Sequence, residues 1–573
     1  MQTQKSPYAL KKWLKNYDNY VKSELEFEEK SLADTLKESV KNYPNSLIYE
    51  FMGATSTYKE FEKKVISFAN FLIERGMEKG DRIAINLPNC PQFMIALYGA
   101  FYAGCVVSGV NFLLKPNEII YQLSDCGART IVTMDSFYEE TVYTALKSKK
   151  TMIENVITTN IADLMELNSF KKFLGKLLKK IPSGKIEPIV GLKFFNFTEI
   201  IERYPNQNAP NIKINPKKDL ALLQYTGGTT GPPKGAMLTH FNEVSNIKQV
   251  YHWWEIDAQF GKDIFISGFP FFHLAGLFMN MGAITFGATQ LLIPNPRDTE
   301  HMCELIKNWK PNIMVNVPTL YLMLIKDPKF KELDLDSIRV YVSGAAPFPS
   351  ESIKEFEKIV GEHKLLEVYG MTEASPIVTM NPYVGERKIG TVGVPISNTS
   401  VRIVDVETNT DVLIGKAGEI AIKGPQVFQG YWNKPKETEH ALRNGWFFSG
   451  DVGIMDEEGY LKIVDRTKDM INVSGYKVFS VEVDDKMNKH PKIELASSIG
   501  IPDPDRPGSE YVKLYVLLKE GVKATQETKE DIREYAKNNL ARYKVPKEIE
   551  IVEEIPLTSV GKIDKKVLRS REP

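Results

Sequence analysis

Leu220-Ala221-Leu222-Leu223-Gln224 runs straight into Tyr225-Thr226-Gly227-Gly228-Thr229-Thr230-Gly231-Pro232-Pro233-Lys234-Gly235. The first five residues read as a buried strand, and the remainder is a loop rich in donors. Glycines let successive backbone N–H groups close around an anion. The hydroxyls of Thr226, Thr229 and Thr230 add donors, and Lys234 supplies the countercharge. A strand ending in such a loop is a cradle for a triphosphate. A plain glycine-rich hairpin turn accounts for neither the lysine nor the threonines. The mononucleotide loop GxxxxGK[ST] cannot be threaded here, because Lys234 follows Pro233 and precedes Gly235.

Outward from this loop, amphipathic helices alternate with short apolar strands. Residues 58–75 and 91–103 read as helices, and 82–87, 129–134 and 339–342 as strands. Alternation of this kind predicts an α/β protein with largely parallel, helix-covered sheets, whose ligands belong at the carboxyl ends of the strands. Around Asp465 the texture changes. A charged turn, Asp465-Arg466-Thr467-Lys468-Asp469, follows the strand-like 460–464, and the last hundred or so residues suit a compact α+β unit. The expected division is a large N-terminal domain, 1–465, and a small C-terminal domain, 466–573.

The 573 residues are 43% hydrophobic and 25% charged, which suits a globular chain with a sizeable core and excludes disorder, collagen and a small disulfide scaffold. Lys+Arg and Asp+Glu both number 73, so no global field draws the chain to nucleic acid or to an anionic membrane. Cys90, Cys105, Cys126 and Cys303 lie far apart, with no metal or disulfide spacing, and fit small buried residues in a reducing compartment. The N-terminus lacks the apolar core of a secretory signal, so a cytoplasmic protein is expected. Two uncharged runs, 83–114 and 264–296, are long enough to span a bilayer. They are punctuated by Pro88, Pro91, Gly99, Gly104, Pro270, Gly276 and Gly287, which favours buried strands and helices.

The phosphate loop resembles the signature of the adenylate-forming acyl-CoA synthetase superfamily, and further segments match in the expected order. These include Asn89-Cys90-Pro91-Gln92, Ser343-Gly344-Ala345-Ala346-Pro347, Tyr369-Gly370-Met371-Thr372-Glu373 and Gly430-Tyr431-Trp432. Ser449-Gly450-Asp451, Asp465-Arg466-Thr467-Lys468-Asp469, Ser474-Gly475-Tyr476-Lys477 and Thr558-Ser559-Val560-Gly561-Lys562 complete the set. The resemblance implies that ATP and a carboxylate give an acyl-adenylate and pyrophosphate, and that the acyl group then passes to coenzyme A. Neither half needs a protein nucleophile; both need charge stabilisation around an in-line attack.

On this resemblance Thr226 and Glu373 hold Mg2+, since hard oxygen ligands suit that ion. Tyr369 faces adenine, with Gly370 and Thr372 beside it, and the small Gly344, Ala345 and Ala346 admit backbone to the other face. Asp451 accepts from the ribose hydroxyls and Arg466 holds the ribose–phosphate region. Lys562 is the catalytic lysine, although alone it would read as one solvated lysine in a basic tail. Lys468 is the hinge between domains that turn between the half-reactions, and Gly475 and Lys477 face coenzyme A.

Phe272, His273, Val317 and Pro318 lie in blocks that resemble the family's acyl pocket, and no charged residue stands there, so an apolar tail is favoured. His273 reads equally as a gate or as a plain packed histidine. Phe170, Phe173, Leu174, Leu177 and Leu178 recur at helical spacing, with Lys171, Lys172, Lys176, Lys179 and Lys180 opposite. A helix over 169–180 either packs on its own protein or touches the inner face of a membrane peripherally. Some positions depart from the family pattern: Gly227 replaces Ser or Thr, Lys468 replaces Asp, Asp465 stands where Gly is common, Ser480 and Val481 lie where a Pro is frequent, and Lys565 replaces an Arg. The expected function is a medium- to long-chain fatty acyl-CoA synthetase, with no nucleic-acid partner. Two alternatives stay open: an aryl or short-chain ligase of the same superfamily, and a non-catalytic lipid-binding protein on this fold. A homodimer is compatible with the sequence but not required by it.

Overall fold

The computed structural model describes residues 6–167, 172, 174–175, 177–178, 180–204, 208–226, 232–474, 476–558 and 562–572. Its N-terminal part is built on two large sheets. One orders seven strands as Lys193–Asn196, Asn155–Thr159, Thr130–Met134, Arg82–Asn86, Val106–Gly109, Leu220–Thr226 and Lys234–Thr239. Its strands run parallel except for the last, which turns back against Leu220–Thr226 as a hairpin. The other has nine strands and a parallel centre, in which Leu365–Gly370, Val340–Ser343, Ile313–Asn316, Ile264–Ser267, Thr289–Leu292 and Leu47–Phe51 lie side by side. The mostly parallel α/β arrangement matches the alternation in the sequence, with element ends within a few residues of the expected ones.

Local chemistry sets those ends. Thr57 caps the helix Tyr58–Glu74: its hydroxyl accepts from the Glu60 N–H while the Glu60 carboxylate accepts from the Thr57 N–H at 2.9 Å, a reciprocal pair that satisfies two orphan donors. Pro91 opens the helix Pro91–Tyr102, where its missing N–H costs nothing. Every residue of that helix is buried, which explains the first long uncharged run. The second resolves into the strand Ile264–Ser267, the helix Leu274–Thr285 and the strand Thr289–Leu292. Among the described residues no helix is long and apolar enough to cross a membrane. All four cysteines are free and buried, and burial pushes the Cys90 thiol up to about 12, far from a reactive thiolate.

A third, antiparallel sheet ends in the paired strands Trp446–Met455 and Leu461–Arg466. Beyond it lies the smaller C-terminal unit, a sheet of Ile493–Pro502, Glu510–Leu518 and Glu548–Val552 with the helices Ser480–Met487 and Gln526–Asn539. It has its own apolar core, in which Val483, Ile493, Leu514, Ile532 and Ile549 meet.

The helices Tyr58–Glu74 and Pro91–Tyr102 approach so closely at Gly99 that an added Cβ would lie 2.7 Å from Cδ1 of the Phe68 ring. Gly99→Ala should therefore destabilise the N-terminal part by about 1–3 kcal/mol through overpacking. The check is a lowered midpoint of thermal unfolding, with the site chemistry intact at low temperature.

Candidate active site

The phosphate loop closes the hairpin in which Thr226 pairs with Lys234 and Tyr225 with Gly235. Gly227, Gly228, Thr229, Thr230 and Gly231 lie outside the described residues. The base of the loop is braced from several sides. Tyr225 donates to Asp125 Oδ2 at 2.5 Å, Tyr121 donates to the Pro233 carbonyl at 2.8 Å, and the Trp432 indole N–H donates to the Asp125 carbonyl at 3.0 Å. Lys234 Nζ sits 4.2 Å from the centre of the Tyr431 ring, and the Tyr431 hydroxyl donates to Glu373 Oε1 at 2.7 Å. One chain of contacts thus joins the loop to Glu373. Tyr431 was legible only as part of Gly430-Tyr431-Trp432, with nothing to mark it as the link.

Glu373 Oε2 has no hydrogen-bond partner among the described residues. Among the described residues the Thr226 hydroxyl makes only a long bond, 3.4 Å, to the Lys234 carbonyl. Two hard oxygens left so lightly engaged beside a phosphate loop fit a divalent cation that also binds phosphate oxygens.

The nucleotide side is built at strand ends. Val340–Ser343 and Leu365–Gly370 are parallel neighbours, so Gly344 and Ala345 leave their sheet next to Tyr369 and Gly370. Gly344 is needed for close approach: a Cβ there would lie 2.8 Å from Val368 Cγ2. Ala345 has φ 68°, a left-handed conformation that a non-glycine residue adopts only under local constraint. The small Ala346 follows directly, and Thr372 opens the short helical turn Thr372–Ala374 that carries Glu373. The Tyr369 hydroxyl donates to Asp451 Oδ2 at 2.9 Å, and Arg466 Nε meets Asp451 Oδ1 at 3.2 Å. Asp451 and Arg466 are cross-strand partners, so the sheet itself fixes the pair. Burial first, then the Asp451 charge, keeps the Tyr369 phenol firmly protonated. Each Asp451 oxygen keeps a further lone pair, enough to accept from a ribose diol.

Lys562 reaches this pocket from the far end of the chain. Part of its side chain is open to solvent, yet its ammonium is ringed by protein. Burial pushes its pKa down to about 8, Arg466 pushes the same way, and Asp451 and Glu373 oppose. The same ammonium acts on His273, whose pKa falls to about 3 through burial first and then the Lys562 charge. His273 Nδ1 accepts from the Ala275 N–H at 3.2 Å, capping the helix Leu274–Thr285. A neutral ring that accepts at Nδ1 carries its proton on Nε2, so His273 is a fixed, uncharged donor beside Lys562. His273 therefore both caps a helix and stands within reach of the Lys562 charge.

Two narrow cavities border the helix Leu274–Thr285, with free volumes of about 20 and 10 Å³. Phe271, Ser267 and Asn89 line the one nearer the strand ends, Gly282, Phe286 and Trp254 line the other, and Phe265 and Met279 line both. Phe271 rather than Phe272 faces this space; Phe272 packs edge-on against Phe112, with ring centres 5.3 Å apart. Val317 is partly buried against the core, and Pro318 opens the helix Pro318–Lys326. Lys468 stands in the turn where Asp469 N–H donates to the Arg466 carbonyl at 3.0 Å; the residue is exposed, but desolvation of its ammonium by surrounding protein, then the Arg466 charge, lowers its proton affinity. Lys477 Nζ is 3.7 Å from Glu407 Oε1, and Gly475 lies outside the described residues.

The AMP-binding enzyme family matches residues 36–432, and the AMP-binding enzyme C-terminal domain family matches residues 482–562. A long-chain-fatty-acid–CoA ligase of Bacillus subtilis is 37% identical over 564 residues, 98% of each chain. One of Escherichia coli O157:H7 is 34% identical over 566 residues, again 98% of each. Among solved structures, ATP-bound MatB from Rhodopseudomonas palustris superposes with a TM-score of 0.80 at 26% identity, over 94% of this chain and 98% of that one. The chain belongs to the AMP-binding enzyme family, the adenylate-forming ligases that its motifs resemble.

Because Lys562 loses its proton as pH rises through about 8, adenylate formation, read as kcat/KM for ATP-dependent pyrophosphate release, should fall across that pH while the fold persists. Lys562→Ala should remove the step at every pH. A profile in Lys562→Arg that is flat over the same range would assign the titration to this group.

Proposed function

We propose that the protein activates a fatty acid with ATP to an acyl-adenylate and passes the acyl group to coenzyme A. In the first step a carboxylate oxygen of the acid attacks the α-phosphorus in line, and the bond to pyrophosphate breaks. In the second the coenzyme A thiol attacks the acyl carbonyl, loses its proton, and AMP leaves. The observation that carries this reading is the meeting of Lys562 with Arg466, Asp451, Glu373 and His273 beside the phosphate hairpin. Lys562 bridges the attacking carboxylate and the α-phosphate, His273 Nε2 donates to the carboxylate, Asp451 accepts from the ribose hydroxyls, and Tyr369, bonded to Asp451, faces adenine. Thr226 and Glu373 would hold Mg2+, which offsets phosphate charge when bound.

The domains divide at 465/466, and the C-terminal one turns about Lys468 between the steps. Lys562 must stand at the α-phosphate for adenylation and then make room for the thiol, so one pocket serves two transition states. Lys477 lies on the surface that then meets coenzyme A, a role its motif gives to Gly475 as well. The relatives named long-chain-fatty-acid–CoA ligases, and the apolar lining of the two cavities, support a medium- to long-chain tail over an aryl or short acid. The cavities are too narrow for a tail as they stand. Met279, unbranched and shared by both, is the side chain best able to move aside.

A cytoplasmic protein with a peripheral membrane contact through 169–180 fits a substrate dissolved in lipid. Phe170, Lys171, Phe173, Lys176 and Lys179 lie outside the described residues, but Leu177 and Leu178 are 65% and 57% exposed, so these two leucines are not packed on the protein. Leucines so placed favour a surface contact over self-packing.

Pyrophosphate release with ATP and Mg2+, over acids from acetate through benzoate to palmitate, should rise with aliphatic length and turn over only with coenzyme A. Activity confined to short or aromatic acids would keep the chemistry and discard the tail. Silence throughout would leave the lipid-binding alternative. Deleting 169–180 should lower binding to anionic vesicles with little change in adenylation of a soluble acid; unchanged vesicle binding would remove the membrane contact.

A further inference from the structure

Three positions at which the sequence departs from the family pattern, Asp465, Ser480 and Lys565, meet in one buried cluster. Asp465 is 3% exposed. Its Oδ1 accepts from the Ser480 hydroxyl at 3.0 Å and from the Arg466 N–H at 2.7 Å, and its Oδ2 accepts from the Ser480 N–H. The Ser480 hydroxyl in turn accepts from Lys565 Nζ at 2.7 Å. Lys565 also donates to Asp484 Oδ2 at 3.0 Å, and Asp484 Oδ1 takes both the N–H and the hydroxyl of Ser498, each at 2.6 Å. Proline at 480 would bring neither the N–H nor the hydroxyl, so the serine is what allows the cluster to form.

The cluster is placed to act on the catalytic lysine. Asp465 and Arg466 are successive residues of the strand Leu461–Arg466, and successive side chains point to opposite faces. Arg466 turns to Asp451 and the nucleotide pocket; Asp465 turns to the cluster. Lys565 opens the last helix, Lys565–Ser570, just after Lys562. The link between them is stiff: Thr558 N–H donates to the Lys562 carbonyl at 2.7 Å, Asp564 N–H donates to the Pro556 carbonyl at 2.8 Å, and Leu557 bridges Ile563. Whatever fixes Lys565 therefore fixes Lys562.

We propose that Asp465 is a positioning residue: with Ser480 and Lys565 it forms an interlock that holds Lys562 in the pocket for adenylation and opens for thioester formation. The inference rests on the hinge at Lys468 proposed above. Ser480, Asp484, Ser498 and Lys565 all follow that position in the chain and travel together, so a turn leaves the Lys565–Asp484 pair whole. Within the cluster, among the described residues, it is the bonds from Ser480 to Asp465 that cross the hinge. Burial pushes Asp465 up to about 6, so desolvation offsets much of what its donors contribute, and the interlock is one that can let go.

The experiment uses the full chain and separates the half-reactions. In Asp465→Asn, single-turnover acyl-adenylate formation should fall about tenfold or more, the scale of one hydrogen bond to a charged group. Transfer to coenzyme A from supplied acyl-adenylate should be kept or quickened. Ser480→Ala, a milder change should Asp465→Asn fail to fold, should shift the same ratio in the same direction. Lys565→Met should lower adenylation, and Lys565→Arg should restore most of it. Equal loss of both half-reactions would make the cluster merely structural, and no change in either would overturn it outright. Hydrogen exchange at the Ser480 amide gives a reading independent of turnover: slow in the wild type with a non-hydrolysable ATP analogue, fast in Asp465→Asn. If the wild type forms no adenylate from any acid, the reaction assigned above fails, and the exchange contrast still decides the interlock.

Discussion

The ion pair between Asp451 and Arg466 is the contact on which the rest of the site depends. It is set by sheet register, because the two residues face each other across antiparallel strands. Its worth lies in orientation more than in stability: Arg466 is 43% exposed along its side chain, and partly solvated pairs contribute little net energy. What the pair does is aim. Asp451 takes Tyr369 on its second oxygen, which ties the nine-stranded sheet to the antiparallel one. Arg466, held on its own carboxylate, turns its charge towards Lys562 and lowers that lysine's hold on its proton.

The loop before His273 leaves the nine-stranded sheet, and buried polar side chains from the seven-stranded sheet and its connections pin it. Asn89, just ahead of the buried helix Pro91–Tyr102, donates to the Phe269 carbonyl at 2.8 Å and accepts from the Phe271 N–H at 2.7 Å. Gln224, on the strand that leads into the phosphate loop, donates to the Phe272 carbonyl. Each removes a buried backbone group from the unsatisfied state, whose cost would otherwise be of order 1–3 kcal/mol. The consequence is chemical as well as structural. The loop before His273 is held by the strand that leads into the phosphate loop, so in the reaction proposed above the acid and the α-phosphate would share one support.

Much of this was legible in the sequence, for reasons that differ by residue. The helix starts at Tyr58 and Pro91 carry their own signals, a reciprocal cap and a proline, and needed no tertiary information. Glu373, Asp451 and Lys562 were readable only through the motifs around them, because a lone carboxylate or lysine has no distinctive local pattern. Asp125 was missed, and Tyr431 was quoted only within its motif with no role of its own: the contacts of both run across long sequence separations that no local spacing marks. Of the adjacent Phe271 and Phe272, Phe271 faces the cavity; alternation along an irregular loop does not say which of the two turns that way. Asp465, Ser480 and Lys565 appeared in the sequence as three unrelated departures. They form one object only after folding, because residues 465 and 565 meet through Ser480.

The charges around Lys562 also give the proposed reaction its direction. Before the first step the triphosphate adds several negative charges beside an ammonium whose burial and Arg466 neighbour weaken its hold on its proton, so the ligand stabilises the charged lysine in the pocket. When pyrophosphate leaves, much of that negative charge leaves with it. Arg466 and the burial remain, and Asp451 is shared with Tyr369 and Arg466 itself. The lysine is then held less well than before by the same residues. Chemistry at the α-phosphate therefore weakens the contact that places Lys562, so the loss of pyrophosphate, with no separate signal, favours the withdrawal that the second half-reaction requires.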